Sequence, residues 1–340
     1  MRLLSMTILL SLSTITFAND TGLNAQALTN AENLKAQAIQ GSNAYSIVES
    51  LTTEIGPRMG GSQAYDRATA WAQQKFKALG YDNVWLQPVT FPVWQRRNES
   101  GRIISPYPQP LILTALGGSV GTQGLLTAEV VEFESLESLK AALENTLNGK
   151  IAFVNMKMTR AKDGSGYGPV STLRRVGASE AAKKGAVAIV IRSVGTDSDR
   201  MPHTGMMRYE EGVAKVPAAA LSAPDADLLA NMIKRGKPVK LELNIDAGWN
   251  GSKTEYNVIG EITGRSKPKE IVFIGGHLDS WDLGTGAIDD GAGVAITMAA
   301  GELIGKLKQA PKRTIRVIAF ANEEQGIVGA KAYAKAMKAD

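Results

Sequence analysis

Two apolar runs that bracket one helical segment constrain this chain more than any other feature in it. Residues 271–274, IVFI, are uninterrupted apolar sequence that breaks at Gly275-Gly276, and residues 313–321, RTIRVIAFA, form a second such run. Between them, residues 290–307 carry Val294, Ile296, Met298, Ala299, Leu303 and Leu307 at helical spacing, and Pro311 closes the segment. Near-continuous apolar runs are characteristic of parallel strands covered by helices on both faces, whereas half-solvated antiparallel strands alternate. The pattern predicts an α/β fold built on a doubly wound, mostly parallel sheet. Residues 256–261 are predicted as a further strand of that core, and residues 323–338 as the next helix.

In an open α/β sheet, ligands bind in the loops at the carboxyl ends of the strands. His277 follows the first run, Glu323 and Glu324 follow the second, and Asp289 precedes the connecting helix, so all of them fall at one end of the sheet. The chain has only two histidines, and one of them is here. Imidazole with carboxylates is a good ligand set for zinc. An aspartate between two cations can bridge them, and cations about 3.5–4 Å apart generate hydroxide near neutral pH and clamp a tetrahedral intermediate. A carboxylate beside a ligand, but not itself one, can take the proton of the attacking water, which contributes typically ~10²–10⁴-fold. Asp279, two residues after His277, can accept the free imidazole N–H. Each feature alone has a plainer reading. Glu323-Glu324 at a helix start would complement the helix dipole, Asp289-Asp290 would cap a helix, and His277 would be a core histidine with satisfied hydrogen bonds. Their co-occurrence at the strand ends of one sheet favours a metal centre.

Upstream, residues 19–55 are polar and helical. Ser62 is an N-cap signal for a helix running to about Leu79, with Gly80 as its stop. Residues 84–94 alternate and contain Pro92, which predicts an edge strand. Gly117-Gly-Ser119-Val-Gly121 fits G-x-S-x-G, but that motif needs a strand before the serine and a helix after it. The following TQGLLTAEVVEF is turn and strand, so a Gly-rich linker is the better reading. From about Gly121 to Asp246 short strands (128–133, 150–155, 186–191, 239–244) alternate with helices (136–145, 174–184, 223–234), as in a separate small domain inserted between two parts of another. His203 lies in it, either as a loop histidine with local hydrogen bonds or at the mouth of the site.

The N-terminus has Arg2, an apolar stretch at residues 3–17, and small residues Thr16 and Ala18 placed for cleavage after Ala18, which is the pattern of a secretory signal peptide. The apolar stretch is shorter than the ~20 residues a membrane span needs. Export to the periplasm or the exterior follows as an expectation. With no cysteine, the chain has no disulfide and no thiol chemistry. Its formal charge of +5 is spread along the chain with few aromatics between, which excludes a nucleic-acid footprint. Nothing in the sequence sets the oligomeric state, and a homodimer stays open beside a monomer.

GGHLDSWDLGTGAIDDGAG followed by PKRTIRVIAFANEEQGIVGA closely resembles the co-catalytic zinc exopeptidases, the family of bacterial aminopeptidases and plasma glutamate carboxypeptidase. Ser280-Trp281-Asp282, Glu323-Glu-Gln-Gly326, Ile55-Gly-Pro-Arg58 and Pro202-His-Thr-Gly205 point to its carboxypeptidase Q branch. The resemblance implies the zinc exopeptidase (phosphorylase/hydrolase-like) fold, with peptidase segments at 19–120 and 247–340 and an inserted protease-associated domain at 121–246. It implies two zinc ions, with His277 on one, Glu324 on the other and Asp289 bridging, Glu323 as general base, Asp279 orienting His277, and a cis Asp289–Asp290 peptide. The substrate would be a short peptide. The family takes a further Asp and a further His ligand from later in the peptidase domain, and no histidine follows His277 here. The expectation is a fragment or a truncated protein that holds metal poorly and turns over little or nothing. Non-catalytic peptide or partner binding on the same fold, and serine hydrolysis through Ser119, are the rival readings.

Overall fold

The computed structural model describes residues 24–338, so the leader reading of residues 1–18 lies outside the described residues. Ser42 and Asn43 divide two compact units. The first holds helix α1 (Ala25–Gln40), started by Asn24, whose side chain accepts from the Ala27 N–H; none of its residues is buried.

In the second unit, α2 (Ala44–Ser50) runs into a π-helical turn (Leu51–Ile55). Helix α3 (Gln63–Ala78) begins where Ser62 Oγ accepts from the Tyr65 N–H at 3.1 Å, as the sequence predicts. It buries Tyr65, Ala68, Trp71, Ala72 and Phe76. Two strands, β1 (Asn83–Ser105) and β8 (Lys240–Ile262), are each 23 residues long and pair antiparallel along nearly their whole length. The sequence predicted only pieces of them, because their middles are polar and interrupted by Pro92, Gly248 and Gly251. Strand pairing overrides that local pattern, with Arg97–Asp246 and Arg102–Glu242 ion pairs across the ribbon. Along residues 83–92, β1 pairs with β8 alone, so the edge position expected from Pro92 is where that proline sits.

Between the long strands come β2 (Gln109–Leu111), β3 (Leu113–Ala115), β4 (Leu126–Phe133), α4 (Leu136–Ala141), β5 (Ile151–Val154), α5 (Tyr167–Lys183), β6 (Ala188–Arg192), β7 (Ala218–Leu221) and α6 (Ala223–Ile233). Strands β4 to β7 are mutually parallel, β3 closes antiparallel on β7, and β4 joins β8 antiparallel. Strand β7 escapes sequence reading because AAAL has weak strand propensity; pairing with β6 and β3 makes it a strand.

Strands β9 (Lys267–His277) and β10 (Arg313–Phe320) are parallel and joined by α7 (Gly293–Gly305), which is the predicted strand–helix–strand unit. Strand β10 then pairs antiparallel with β8, so the α/β sheet is mixed, with parallel runs at β4–β7 and β9–β10. One helix boundary is corrected. The predicted helix from residue 323 begins only at Val328, as α8 (Val328–Ala336), and Glu323 and Glu324 lie in the preceding turn, where Asn322 and Ile327 take positive φ. One apolar cluster packs Tyr65, Phe76, Val258, Leu278, Met298 and Val317 between α3, α7 and the sheet. It anchors the strand ends that carry the charged loops.

Candidate metal centre

In the parallel register His277 lies opposite Phe320, so the ends of β9 and β10 are side by side. The His277 main-chain N–H donates to Asp290 Oδ2 at 3.1 Å, and Asp290 Oδ1 accepts from the Gly293 N–H at 3.0 Å. Asp290 therefore caps α7 while holding the end of β9. This close approach requires glycine at 276, because a Cβ there would lie 2.5 Å from Asp290 Oδ2 and 2.8 Å from the Val294 nitrogen. The Asp289–Asp290 peptide is cis, as the resemblance implies. Both residues leave helical dihedrals, and the Asp289 side chain stays 74% exposed with Oδ1 at 2.9 Å from His277 Nε2.

His277, Asp289 and Glu324 each offer one ligand atom, and the three atoms lie within 4.8 Å of one another. The other imidazole nitrogen, Nδ1, sits 2.9 Å from the Asp279 carbonyl oxygen and 3.6 Å from its carboxylate. Nδ1 donates to that carbonyl, so Nε2 is the nitrogen that would bind a cation once it gives up its proton. The Asp279 carboxylate is fully buried and holds the neighbouring loop as well. Its Oδ1 accepts from the Glu323 N–H at 3.0 Å and its Oδ2 from the Glu324 N–H at 3.2 Å. One aspartate thus fixes the histidine through its backbone and the two glutamates through its side chain.

The electrostatics match a cation site. Burial, then the neighbouring Asp289 and Asp279 carboxylates, push Glu324 up to about 8. Burial also raises Glu323 above its ordinary value, opposed by His277 and reinforced by Asp279, Asp289 and Asp290. For His277 burial works against the charged form, but the Asp279 hydrogen bond and the surrounding carboxylates outweigh it and bring the ring to about 10. Protons are thus held where a divalent ion would discharge the same crowded negative charge. One imidazole nitrogen and two carboxylates suit a zinc-class ion.

Sequence reasoning gave no role to Arg58, which is fully buried beneath the loop. It donates to the carbonyls of Leu278 (2.5 Å), Thr285 (2.6 Å), Gly286 (3.0 Å) and Gly56 (3.2 Å). Burial lowers it to about 10, against the pull of Asp279, and it remains a cation at neutral pH. Ser119 is buried, donates to the Val120 carbonyl and accepts from the Ala218 N–H, and no helix follows it, so it is no nucleophile. His203 satisfies both readings left open for it. Its Nδ1 lies 3.2 Å from Arg174 Nη1, and its side chain lines a cavity of about 340 Å³ with Trp281, Asp289 and Glu324.

A family model described as Peptidase family M28 matches residues 257–340. Carboxypeptidase Q of Bos taurus is 39% identical across 85% of this chain and 60% of its own length, so the chain spans about 60% of such relatives. The crystal structure of a Peptidase M28 precursor from Shewanella amazonensis SB2B is 53% identical, with a TM-score of 0.88 over 93% of this chain and 72% of that one. An aminopeptidase from Aneurinibacillus sp. strain AM-1 is 26% identical, with a TM-score of 0.56 over 86% of this chain and 65% of that one.

Proposed function

The chain belongs to Peptidase family M28, the zinc-dependent exopeptidases, near their carboxypeptidase Q branch, and from that premise we propose that it is part of an exported metallopeptidase hydrolysing short peptides and carries that enzyme's general base and part of its metal centre. The observation that carries the reading is the convergence of His277, Asp289 and Glu324 donor atoms within 4.8 Å, with Glu323 near enough to interact electrostatically with His277 and Asp289. His277 through Nε2, Asp289 and Glu324 would hold the zinc. Zinc bound there supplies Lewis acidity toward the scissile carbonyl and the attacking water.

The chain's own residues do the rest. Glu323, pinned through its N–H by Asp279, takes the proton of the water and passes it to the leaving amine. Burial raises its proton affinity above that of an ordinary carboxylate, which makes it a stronger base. Asp279 keeps the imidazole and both glutamates in one arrangement, and Arg58 braces the loop that carries them. Export rests on the leader pattern of residues 1–18, and an inserted protease-associated domain on the strand–helix texture of residues 121–246. Among the described residues no helix is long and apolar enough to cross a membrane.

The test is Glu323→Gln. Chelator-sensitive cleavage of a dipeptide should fall by at least about 10²-fold while zinc content stays unchanged. The comparison is a ratio and holds at a low absolute rate. Turnover that survives the substitution would place the base elsewhere. Zinc binding with no turnover in either form would favour the rival reading of a non-catalytic peptide-binding protein.

A further inference from the structure

The cavity at the metal centre lies between two loops that meet the same buried arginine. Its volume is about 340 Å³; His203 and Thr204 line it from one loop, Trp281 and Leu283 from the other, and Asp289 and Glu324 lie between. Arg96, on β1, reaches both loops with a side chain only 5% exposed. Its Nη2 donates to Thr204 Oγ1 at 3.1 Å and lies 3.2 Å from Asp282 Oδ1, so a single nitrogen spans from one loop to the other. The rest of the guanidinium is anchored on β1 and β3. Its Nη1 donates to Thr114 Oγ1, its Nε lies 3.6 Å from Glu99 Oε2, and its Cζ stands 5.6 Å from the Trp94 ring centre. Thr204 in turn donates to the Ala115 carbonyl at 3.3 Å, and Glu99 accepts from the Ala115 N–H at 2.7 Å.

The loop of residues 278–286 is thus held at different points by two arginines. Arg58 binds its ends, through the carbonyls of Leu278, Thr285 and Gly286, and those ends lead to His277 and Asp289. Arg96 binds its middle at Asp282, beside Trp281. Trp281 also packs edge-on against Trp94, with ring centroids 6.4 Å apart, and lies over Gly117, where a Cβ would overlap its ring. A second cavity, of about 260 Å³, borders Arg96 and Asp282 together with Met59, Gly60 and Trp94, so packing does not fill the space around the pair. The ion pair and the Trp94–Trp281 edge therefore fix how far Trp281 stands from Thr204. A buried polar network of this kind loses most when one member is removed and its partner charge is left alone.

We propose that Arg96 is a positioning residue for the substrate: by holding Thr204 and Asp282 on one nitrogen, it sets the separation of the two walls between which the peptide lies. It acts through these neighbours and not on the reacting atoms. Its loss should widen the cavity while the metal ligands stay where Arg58 and Asp279 hold them. The inference rests on the reading that a peptide occupies this cavity, and it adds the device that gives the cavity its width.

The probe is leucyl-leucine with its amide replaced by a methyleneamine, so that it resists hydrolysis, titrated calorimetrically into the zinc-loaded full chain. Arg96→Gln and Asp282→Asn should each weaken it about tenfold or more, the scale on which members of one polar network couple, while zinc affinity from chelator competition stays within about twofold. Asp282→Asn keeps the size of its side chain and carries the test where Arg96→Gln fails to fold. Arg96→Lys keeps the charge but not the fork, and should retain part of the affinity. The double variant Arg96→Gln, Asp282→Asn should bind no more than about twofold worse than the weaker single variant, because both substitutions break one contact. Unchanged probe affinity in the single variants, losses that multiply in the double variant, zinc affinity that falls in step with the probe, or no probe binding by the unaltered chain overturns the proposal. Cleavage of ordinary leucyl-leucine by the unaltered chain separates the two claims. Turnover with a probe affinity indifferent to Arg96 keeps the peptidase reading and discards the positioning role, while a probe that responds to Arg96 and Asp282 without turnover does the reverse.

Discussion

Glu255 is a carboxylate held out of water with too few partners. It is 1% exposed, accepts from the Gly61 N–H at 2.9 Å and meets Lys253 Nζ at 3.3 Å, while its Oε2 has no hydrogen-bond partner. Burial outweighs Lys253 and the Gly61 N–H and raises it from 4.5 to about 7. The sign follows from which state keeps the proton. Below pH 4.5 both folded and unfolded chains are protonated and the stabilisation is fully present; between 4.5 and about 7 only the folded chain keeps the proton, so stability falls as pH rises. The separation corresponds to roughly 3 kcal/mol. Urea unfolding at pH 4.5 and pH 8 should therefore show a loss in the unaltered chain that is smaller by about that amount in Glu255→Gln; parallel pH profiles would refute it. The same residue scale decides what was legible beforehand. His277, Asp289, Glu323 and Glu324 stood out because their types are rare or repeated at strand ends and their spacing has a chemical meaning. Arg58 did not, because its value depends on carbonyls 220 or more positions away in the chain, and nothing in Gly-Pro-Arg reports that burial. The two hydrogen bonds from the Glu323 and Glu324 N–H groups to the Asp279 carboxylate were hidden for the same reason: they appear only once β9 and β10 are paired.

At the scale of elements, the centre depends on how tightly α7 starts against the end of β9. Gly276 and Gly293 let the two backbones meet through Asp290, and that contact fixes where His277 leaves the sheet. Gly276→Ala adds one methyl where Asp290 Oδ2 and the Val294 nitrogen already stand under 3 Å away. Neither is the free end of a long flexible side chain, so α7 must shift. The expected cost is about 1–3 kcal/mol of stability. A chelator-competition titration should show weaker zinc binding at the same time, because Asp289 and His277 sit on the two pieces pushed apart. Unchanged stability together with unchanged zinc affinity would mean that the junction tolerates slack and does not set the ligand geometry. The strand–helix–strand unit was readable because apolar runs and helical spacing are both local signals. The middles of β1 and β8 were not, since an arm of polar residues with proline and glycine becomes strand only through its partner.

At the scale of the whole molecule, β1 and β8 each enter two cores. Val89, Phe91 and Val258 belong to the cluster beneath the charged loops, whereas Trp94, Ile103, Leu241, Leu243 and Ile245 belong to the cluster that packs Ile151, Phe153, Val190 and Leu229. That second core therefore crosses the limits 121–246 drawn from sequence texture. Leu111, Leu113 and Ala115 are also part of it, β3 pairs with β7, and the first half of β8 pairs with both β1 and β4. A polypeptide of residues 121–246 would keep the central parallel strands but lose Trp94, Ile103, Leu111 and Leu113 from their core. Each lost large side chain removes about 1.5–3 kcal/mol of burial, and together they exceed a large share of the ~5–15 kcal/mol that holds a domain folded. Residues 94–247 would retain all of that buried cluster except Met59. Circular dichroism and urea titration should accordingly find 94–247 cooperatively folded and 121–246 without a cooperative transition. A cooperative transition in the shorter piece would show that its helices and parallel strands suffice, and that β1 and β3 merely cover a finished domain.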